Sequence, residues 1–335
     1  MKPEIILTVS VAAYNVEKYI ENTLDSLLAD ESILDRLEIL VIDDGGTDST
    51  IDIAGRYSKK YPGVVVPVHK ENGGYGSVIN CAIEKARGVY FKQLDGDDWF
   101  DRESFPAFVR QLETIDADAV MNTFYYYDEP NGKMTSSDFL QGKTTGYHTC
   151  EDLEFSVGFQ MYVCTFKTEI LRKMNYRITE NCFYTDTEYS HAPVNYIDSI
   201  YVSDIPVYVY RRGTAEQSMN PVNLCKRYLE HERILYKLID IYNSIPETET
   251  AKRAILRNRV ASEAATHIRL YCYRSFGPEN FRGVNRVISD IKTGAYAIYE
   301  HLMKKGKLCR LWVYTKGMVY PLVWLFYRFK GMVRT

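Results

Sequence analysis

A mostly parallel α/β sheet covered by helices is the fold predicted for the first half of this chain, with a helical extension behind it. Three observations predict it. Short apolar runs alternate with segments of helical period from residue 5 to residue 94. Polar, turn-forming residues follow the first, second and fourth of those runs, as they do at strand ends in such sheets. Beyond Pro221 the pattern is helical, with breaks at Pro or Gly.

Residues 5–12 form the first strand candidate, and residues 17–28 repeat apolar side chains at helical spacing. Residues 37–42 are the second strand, followed by Asp48 as helix N-cap for residues 49–61. Residues 64–68 are a third strand, 75–86 a third helix and 90–94 a fourth strand. Residues 119–127 and 161–166 read as strands, 187–196 as a helix, and 200–202 and 207–210 as two short strands. Residues 224–242, 250–273 and 278–303 have helical period. A boundary near Met219 divides residues 1–218 from residues 219–335.

With 335 residues, 46% hydrophobic and 25% charged, the chain has the composition of a folded globular protein. A net charge of -3 argues against wholesale nucleic-acid binding. Seven scattered cysteines without a Cys-x-x-Cys pair suit free thiols in a reducing compartment and exclude a zinc site or disulfide frame from the expectations. The first residues lead directly into a strand without signal-peptide character, so a cytoplasmic location is expected.

Four features carry chemistry. Asp95, Asp97 and Asp98 put three carboxylates in four residues at the end of a strand. Such charges repel unless compensated, and their hard oxygens suit Mg²⁺ or Mn²⁺. Ala12-Ala13-Tyr14-Asn15 offers small residues that let a flat base approach the backbone, plus an aromatic ring. Asp43-Asp44-Gly45-Gly46-Thr47-Asp48 ends the second strand with carboxylates able to accept from a base imide or a ribose hydroxyl. Asn72-Gly73-Gly74-Tyr75-Gly76 is a glycine-rich opening to a helix, a weak phosphate signal that is neither a Walker A loop nor a clean Gly-x-Gly-x-x-Gly. Each feature alone also suits an ordinary turn.

Together, Ser10–Asn15, Val41–Thr50, Asn72-Gly73-Gly74 and Leu94–Asp98 resemble family 2 glycosyltransferases in order and separation, strongly over residues 5–105 and more loosely to 218. The resemblance implies a GT-A fold, Rossmann-like, with residues 1–218 as the nucleotide-sugar-binding and catalytic domain. It implies an inverting enzyme that takes a sugar from a nucleoside-diphosphate sugar, with uracil favoured over guanine. Ala12, Tyr14, Asp44, Asn72 and Gly73 would then face the nucleotide, with Asp44 on the uracil imide. Asp95 would face the ribose or sugar, and Asp97 would meet a divalent cation, Mn²⁺ or Mg²⁺. Asp186, in Tyr184–Tyr189, matches the position of the family's general base, with Glu188 as its rival. Tyr208–Arg212 and Gln217-Ser218-Met219 look like a closing strand and loop, where Arg211 could neutralise phosphate. Val78-Ile79-Asn80 replaces a common Ala-Arg-Asn, and the signature of processive synthases is absent.

The expected acceptor is a glycan or a lipid-linked glycan of the cell envelope. A sugar-phosphate nucleotidyltransferase is the alternative, opposed by a first loop with neither glycine nor basic residue; a non-catalytic nucleotide-sugar-binding protein is another. From His301 onward there are eight Lys or Arg and no Asp or Glu, whereas the preceding 300 residues hold 33 basic and 44 acidic side chains. The longest uncharged run in this tail, residues 317–327, is shorter than the roughly 20 residues a membrane span needs. Read as one helix, residues 308–329 gather Leu308, Trp312, Val319, Val323 and Phe326 on one side, which suits a helix lying at the inner membrane surface or, alternatively, packed on the protein.

Overall fold

β-Branched and other apolar residues fill both faces of the first strands, the pattern of parallel strands covered on two sides. β1 (Leu7–Ala13), β2 (Leu37–Asp43), β3 (Val65–His69) and β4 (Tyr90–Asp95) pair in parallel in the spatial order β3-β2-β1-β4. Helices α1 (Ile20–Leu27), α2 (Thr50–Lys60) and α3 (Tyr75–Lys85) make the connections. The chain moves outward from β1 to β3 and then crosses back to add β4 on the other side of β1. That reversal opens a crevice at the carboxyl ends of β1 and β4, where ligands bind in open α/β sheets.

The computed structural model describes residues 4–153, 159–213 and 221–329. These fall into two units, residues 4–153 with 159–213, and residues 221–329. The first unit continues with β5 (Trp99–Phe100), α4 (Phe105–Leu112), β6 (Ala119–Asp128), β7 (Lys133–Ser136) and β8 (Gly146–His148). It ends with β9 (Cys164–Lys167), α5 (Thr168–Lys173), α6 (Thr185–His191) and β10 (Ile200–Arg212). The sheet runs β3-β2-β1-β4-β9-β6-β10-β5, with β9 antiparallel to both β4 and β6, and β10 parallel to β6.

Several elements differ from the sequence expectation. The two short strands expected at 200–202 and 207–210 are one strand, β10, whose pairing with β6 shifts register between Ser203 and Tyr208. Asp48 precedes the N-cap residue Ser49; its Oδ1 accepts from the Thr50 N–H at 2.9 Å and its Oδ2 from the Glu17 N–H at 3.0 Å, tying together the loops after β1 and β2. Only residues 164–167 of the strand expected from 161 are extended, because Met161–Val163 form a turn. The helix expected from 187 begins at Thr185 and tightens to a 3-10 turn at Ala192–Tyr196, where Pro193 lies.

The second unit is helical: α7 (Pro221–Lys226), α8 (Tyr228–Ser244), α9 (Thr250–Tyr273), α10 (Pro278–Gly294), α11 (Tyr296–Lys305), α12 (Lys307–Tyr314) and α13 (Tyr320–Phe329). α9 is the element against which α8, α10, α11 and α13 pack. The helices expected over 224–242 and 278–303 are each divided, the first at Arg227 and the second at Ala295. The single tail helix is also corrected. Lys316 and Gly317 have φ of 48° and 81°, so the helical phase ends at α12 and restarts at α13. Trp312 turns inward, its Nε1–H donating to Asn285 Oδ1 at 2.9 Å beside the ring of Phe281. Residues 217–219, expected to form a closing loop, lie outside the described residues.

Glu232 anchors this unit. His267 Nε2 lies 3.0 Å from Glu232 Oε2, the Tyr271 hydroxyl donates to the same oxygen at 2.6 Å, and Arg286 pairs with both oxygens. Burial opposes ionisation, but the His267 and Tyr271 hydrogen bonds and the Arg286 charge outweigh it and hold the carboxyl at about 2 instead of 4.5. The folded value is depressed, so this contribution is complete above pH 4.5 and disappears as pH falls from 4.5 toward 2. Burial also pushes His267 below its usual 6.5, adding a loss of stability as pH drops below that value. Acid unfolding followed by circular dichroism is expected to be flatter between pH 4.5 and 2 in Glu232→Gln, which starts from lower stability at pH 7.

Candidate active site

The ends of β1, β2 and β4 place the acidic residues side by side. Ala12 is the register partner of both Ile42 and Asp95, and Ala13 that of Asp43. Ala12 is half-buried and Tyr14 is 53% exposed, a small floor with an open ring at its edge. Asp43 is wholly buried; its Oδ1 accepts from the Gly46 N–H at 3.2 Å and its Oδ2 lies 2.6 Å from His69 Nδ1.

Asp44 organises the glycine loop. Its Oδ1 accepts from Lys70 Nζ at 2.7 Å, from the Gly73 N–H at 2.9 Å and from Ser77 Oγ at 3.2 Å. Its Oδ2 accepts from the Gly74 N–H at 2.8 Å. A carboxylate oxygen can accept twice, so Oδ2 retains capacity for one further donor such as a base imide. The loops meet closely. Gly45 has φ of 73°, and a Cβ there would stand 2.9 Å from the Asn72 amide nitrogen. Asn72 itself is exposed, and Gly73 is half-buried with its carbonyl accepting from the Asn181 N–H at 2.6 Å.

The acidic turn is braced from four directions. Gly96 donates to the Ala12 carbonyl at 2.9 Å, and a Cβ on Gly96 would stand 2.6 Å from that oxygen. Thr23 Oγ1 on α1 donates to the carbonyls of Gly96 and Asp98 at 3.0 and 2.6 Å. The Tyr75 hydroxyl donates to Asp95 Oδ1 at 2.5 Å. The Tyr208 hydroxyl accepts from the Asp95 N–H at 3.2 Å and donates to Asp98 Oδ2 at 2.6 Å, while the Arg211 N–H donates to Asp98 Oδ1 at 2.7 Å.

Asp95, Asp97 and Asp98 each offer an oxygen within 4.8 Å of the others. Burial and the Asp97 charge push the Asp95 carboxyl up to about 7, and Asp186 adds to the effect. Burial, then Asp97 and Asp95, raise Asp98 well above the usual carboxylate range. The negative potential of the turn is thus under-compensated by protein, and hard carboxylate oxygens at this spacing fit a divalent cation.

Asp186 is half-buried in the first turn of α6, and its charge acts on the same acidic cluster. Its charge raises not only Asp95 but also the hydroxyls of Tyr75 and Tyr162, in each case after larger effects of burial and nearer groups. Its rival differs in kind. Glu188 is fully buried, accepting from the Thr179 N–H and Oγ1 at 3.0 Å each and from the Tyr176 hydroxyl. Glu188 is a brace for the loop before α6. Glu188→Ala is expected to lose about 1–3 kcal/mol of stability, through the donors it strands, measurable by urea unfolding.

Arg211 is held tightly. Its Nε donates to the Asp97 carbonyl at 2.8 Å, its Nη1 lies 3.3 Å from Glu129, and its guanidinium rests against the rings of Tyr19 and Trp99 at 4.7 and 4.8 Å. Sequence reasoning counted Asp98 in the acidic cluster but gave Tyr75 and Tyr208 no part in the site. The one available signal was Tyr75 between Gly74 and Gly76, a large side chain in a loop otherwise built for close approach.

Comparison with known proteins fits this geometry. The sequence model of glycosyl transferase family 2 matches residues 8–177. A Mycoplasma pneumoniae protein called an uncharacterized glycosyltransferase, MG025 homolog, is 28% identical over 212 residues, 63% of this chain and 69% of its own length. The glycosyltransferase GlyG of Streptococcus pneumoniae is 31% identical over 139 residues, 40% of this chain and 45% of its own. Among solved structures, S. aureus TarS 1-349 in complex with UDP superposes with a TM-score of 0.68 at 19% identity, covering 96% of this chain and 91% of that one. The mannosyltransferase PcManGT of Pyrobaculum calidifontis, in complex with GDP-Man and Mn²⁺, gives 0.51 at 16% identity, covering 98% and 87%. At such identities the likeness is one of fold.

Proposed function

The chain belongs to glycosyl transferase family 2 and has its GT-A fold, and on that premise we propose that it is an inverting transferase of one sugar from a nucleoside-diphosphate sugar to a hydroxyl of a glycan or lipid-linked acceptor. The observation that carries this reading is the convergence of Asp95, Asp97 and Asp98 within 4.8 Å, with the charge of Asp186 felt at Asp95.

Ala12, Tyr14, Asp44, Asn72 and Gly73 form the nucleotide side: Tyr14 offers a ring to the base, and Asp44 Oδ2 its remaining acceptor capacity. A uridine donor is favoured, in keeping with the UDP complex of the TarS relative in fold. Asp95 borders the ribose or sugar. Asp97, aided by Asp95 and Asp98, would hold Mn²⁺ or Mg²⁺, which supplies charge stabilisation to the departing diphosphate. Arg211 contributes through its bracing of the acidic turn at the Asp97 carbonyl. Asp186 takes the proton of the acceptor hydroxyl while that oxygen bonds to the anomeric carbon and the bond to the diphosphate oxygen breaks. A single displacement of this kind inverts the anomeric centre.

We place this chemistry at the inner face of the cell membrane, in cell-envelope polysaccharide synthesis. The reading is tested with a panel of nucleotide sugars and glycan acceptors plus Mn²⁺. Release of nucleoside diphosphate from one donor, with an inverted product, is expected. Pyrophosphate release from a nucleoside triphosphate and a sugar phosphate would overturn it in favour of a nucleotidyltransferase.

A further inference from the structure

We propose that the outer side of α12, α13 and the turn between them is a docking surface for an anionic lipid bilayer. This deepens the membrane setting proposed above and rests on that reading, but on none of the chemistry of the acidic cleft.

Apart from Arg328, which lies over the Trp324 ring, α13 is apolar on both sides. Its inner side is built into the helical unit: Trp324 Nε1 donates to the Arg274 carbonyl at 3.0 Å, and Tyr320 stacks on Phe276 at 4.9 Å. Its other side carries Leu322, Leu325 and Phe329 at positions i, i+3 and i+7, with Leu322 69% and Phe329 82% exposed. Met318 in the turn and Tyr314 at the end of α12, the neighbouring segments, are 78% and 88% exposed. A helix apolar all round is ordinarily buried in a core or in lipid, and this one is covered on one side only. The surface is a different one from the face expected of a single helix, since Trp312 points into the protein.

Charge selects the occupant. Lys307, Arg310 and Lys316 are exposed on α12 and the turn, Arg328 lies over the Trp324 ring, and no acidic residue follows Glu300 in the sequence. A symmetric pair of copies joined through this surface would bring these like charges together. Anionic headgroups complement them, each basic residue adding attraction near the surface, while the apolar side chains enter the interface. Among the described residues no helix is long and apolar enough to cross a membrane, so the segment would lie on it.

The test is co-sedimentation of the full chain with vesicles of phosphatidylcholine alone or mixed with phosphatidylglycerol. Wild type is expected to bind the anionic vesicles at least about tenfold more tightly, with salt weakening the binding. The triple variant Leu322→Glu, Leu325→Glu, Phe329→Glu changes exposed positions only. It is expected to lose that binding by about tenfold or more while keeping its thermal melt and its Mn²⁺-dependent affinity for UDP. Unchanged vesicle binding in the triple variant would overturn the proposal. So would a concentration-dependent dimer, abolished by the variant, without vesicle binding. UDP affinity is read separately, so its absence with vesicle binding intact would count against the proposed function while supporting the surface.

Discussion

Asp186→Asn is expected to lower kcat by about 10²–10⁴-fold, the usual worth of a general base, while UDP affinity stays within about twofold of wild type. The substitution keeps the shape of the side chain and removes its ability to take a proton. Asp186 lies in the first turn of α6, close enough to the acidic turn for its charge to act on Asp95, Tyr75 and Tyr162. Glu188 supplies the contrast within the same helix. It is buried and bonded to Tyr176 and Thr179, and its substitution should lower stability first. Steady-state kinetics with calorimetric UDP binding separates the two. Parallel losses of kcat and UDP affinity in Asp186→Asn would indicate a structural role.

Asp97→Asn is the second large effect, and it differs in form. Turnover should fall by on the order of 10³-fold, since several kcal/mol of charge stabilisation is withdrawn from the departing diphosphate. Donor affinity should fall with it, because a cation held by Asp97 would no longer be there to attract the phosphates. Chelation of wild type with EDTA should reproduce the defect, and added Mn²⁺ should restore wild type but not the variant. Asp98 is a poorer position for this test: Tyr208 and the Arg211 N–H already occupy its oxygens, so its substitution also loosens β10 from the acidic turn.

Much of this architecture was readable from residues alone, because the first four strands carry their information locally. Apolar runs of the right length, turn residues after them and helical periods between them required no knowledge of partners. The strand β10 was not readable in the same way. Asp204-Ile205-Pro206 looks like a break in sequence, and only pairing with β6 on both sides of the register shift keeps the strand continuous. The tail failed for a related reason. A helical wheel assumes unbroken phase, and Lys316 and Gly317 reset it. Which side of α12 turns inward depends on Asn285 and Phe281, residues far away in sequence.

In the cleft, Asp95, Asp97, Asp44 and Asp186 could be nominated from their motifs, but their division of labour needed coordinates. Asp44 proves to be the organiser of the glycine loop as well as a candidate for the base, through bonds to Gly73 and Gly74. Arg211, nominated for phosphate, is held between aromatic rings and the Asp97 carbonyl. Tyr75 and Tyr208 lie inside stretches that the sequence marks, but nothing there assigns either residue a role. Their part appears only when α3 and β10 are brought against the acidic turn, where the two hydroxyls take up Asp95 and Asp98.

The most direct measurement is calorimetric titration of UDP into the wild-type protein with and without Mn²⁺, repeated on Asp97→Asn. Wild type should bind UDP at least about tenfold more tightly when Mn²⁺ is present, and the variant should show no such gain. Equal UDP affinity with and without Mn²⁺ in wild type, or a full Mn²⁺ gain in Asp97→Asn, would contradict the claim that these carboxylates hold a cation against the diphosphate.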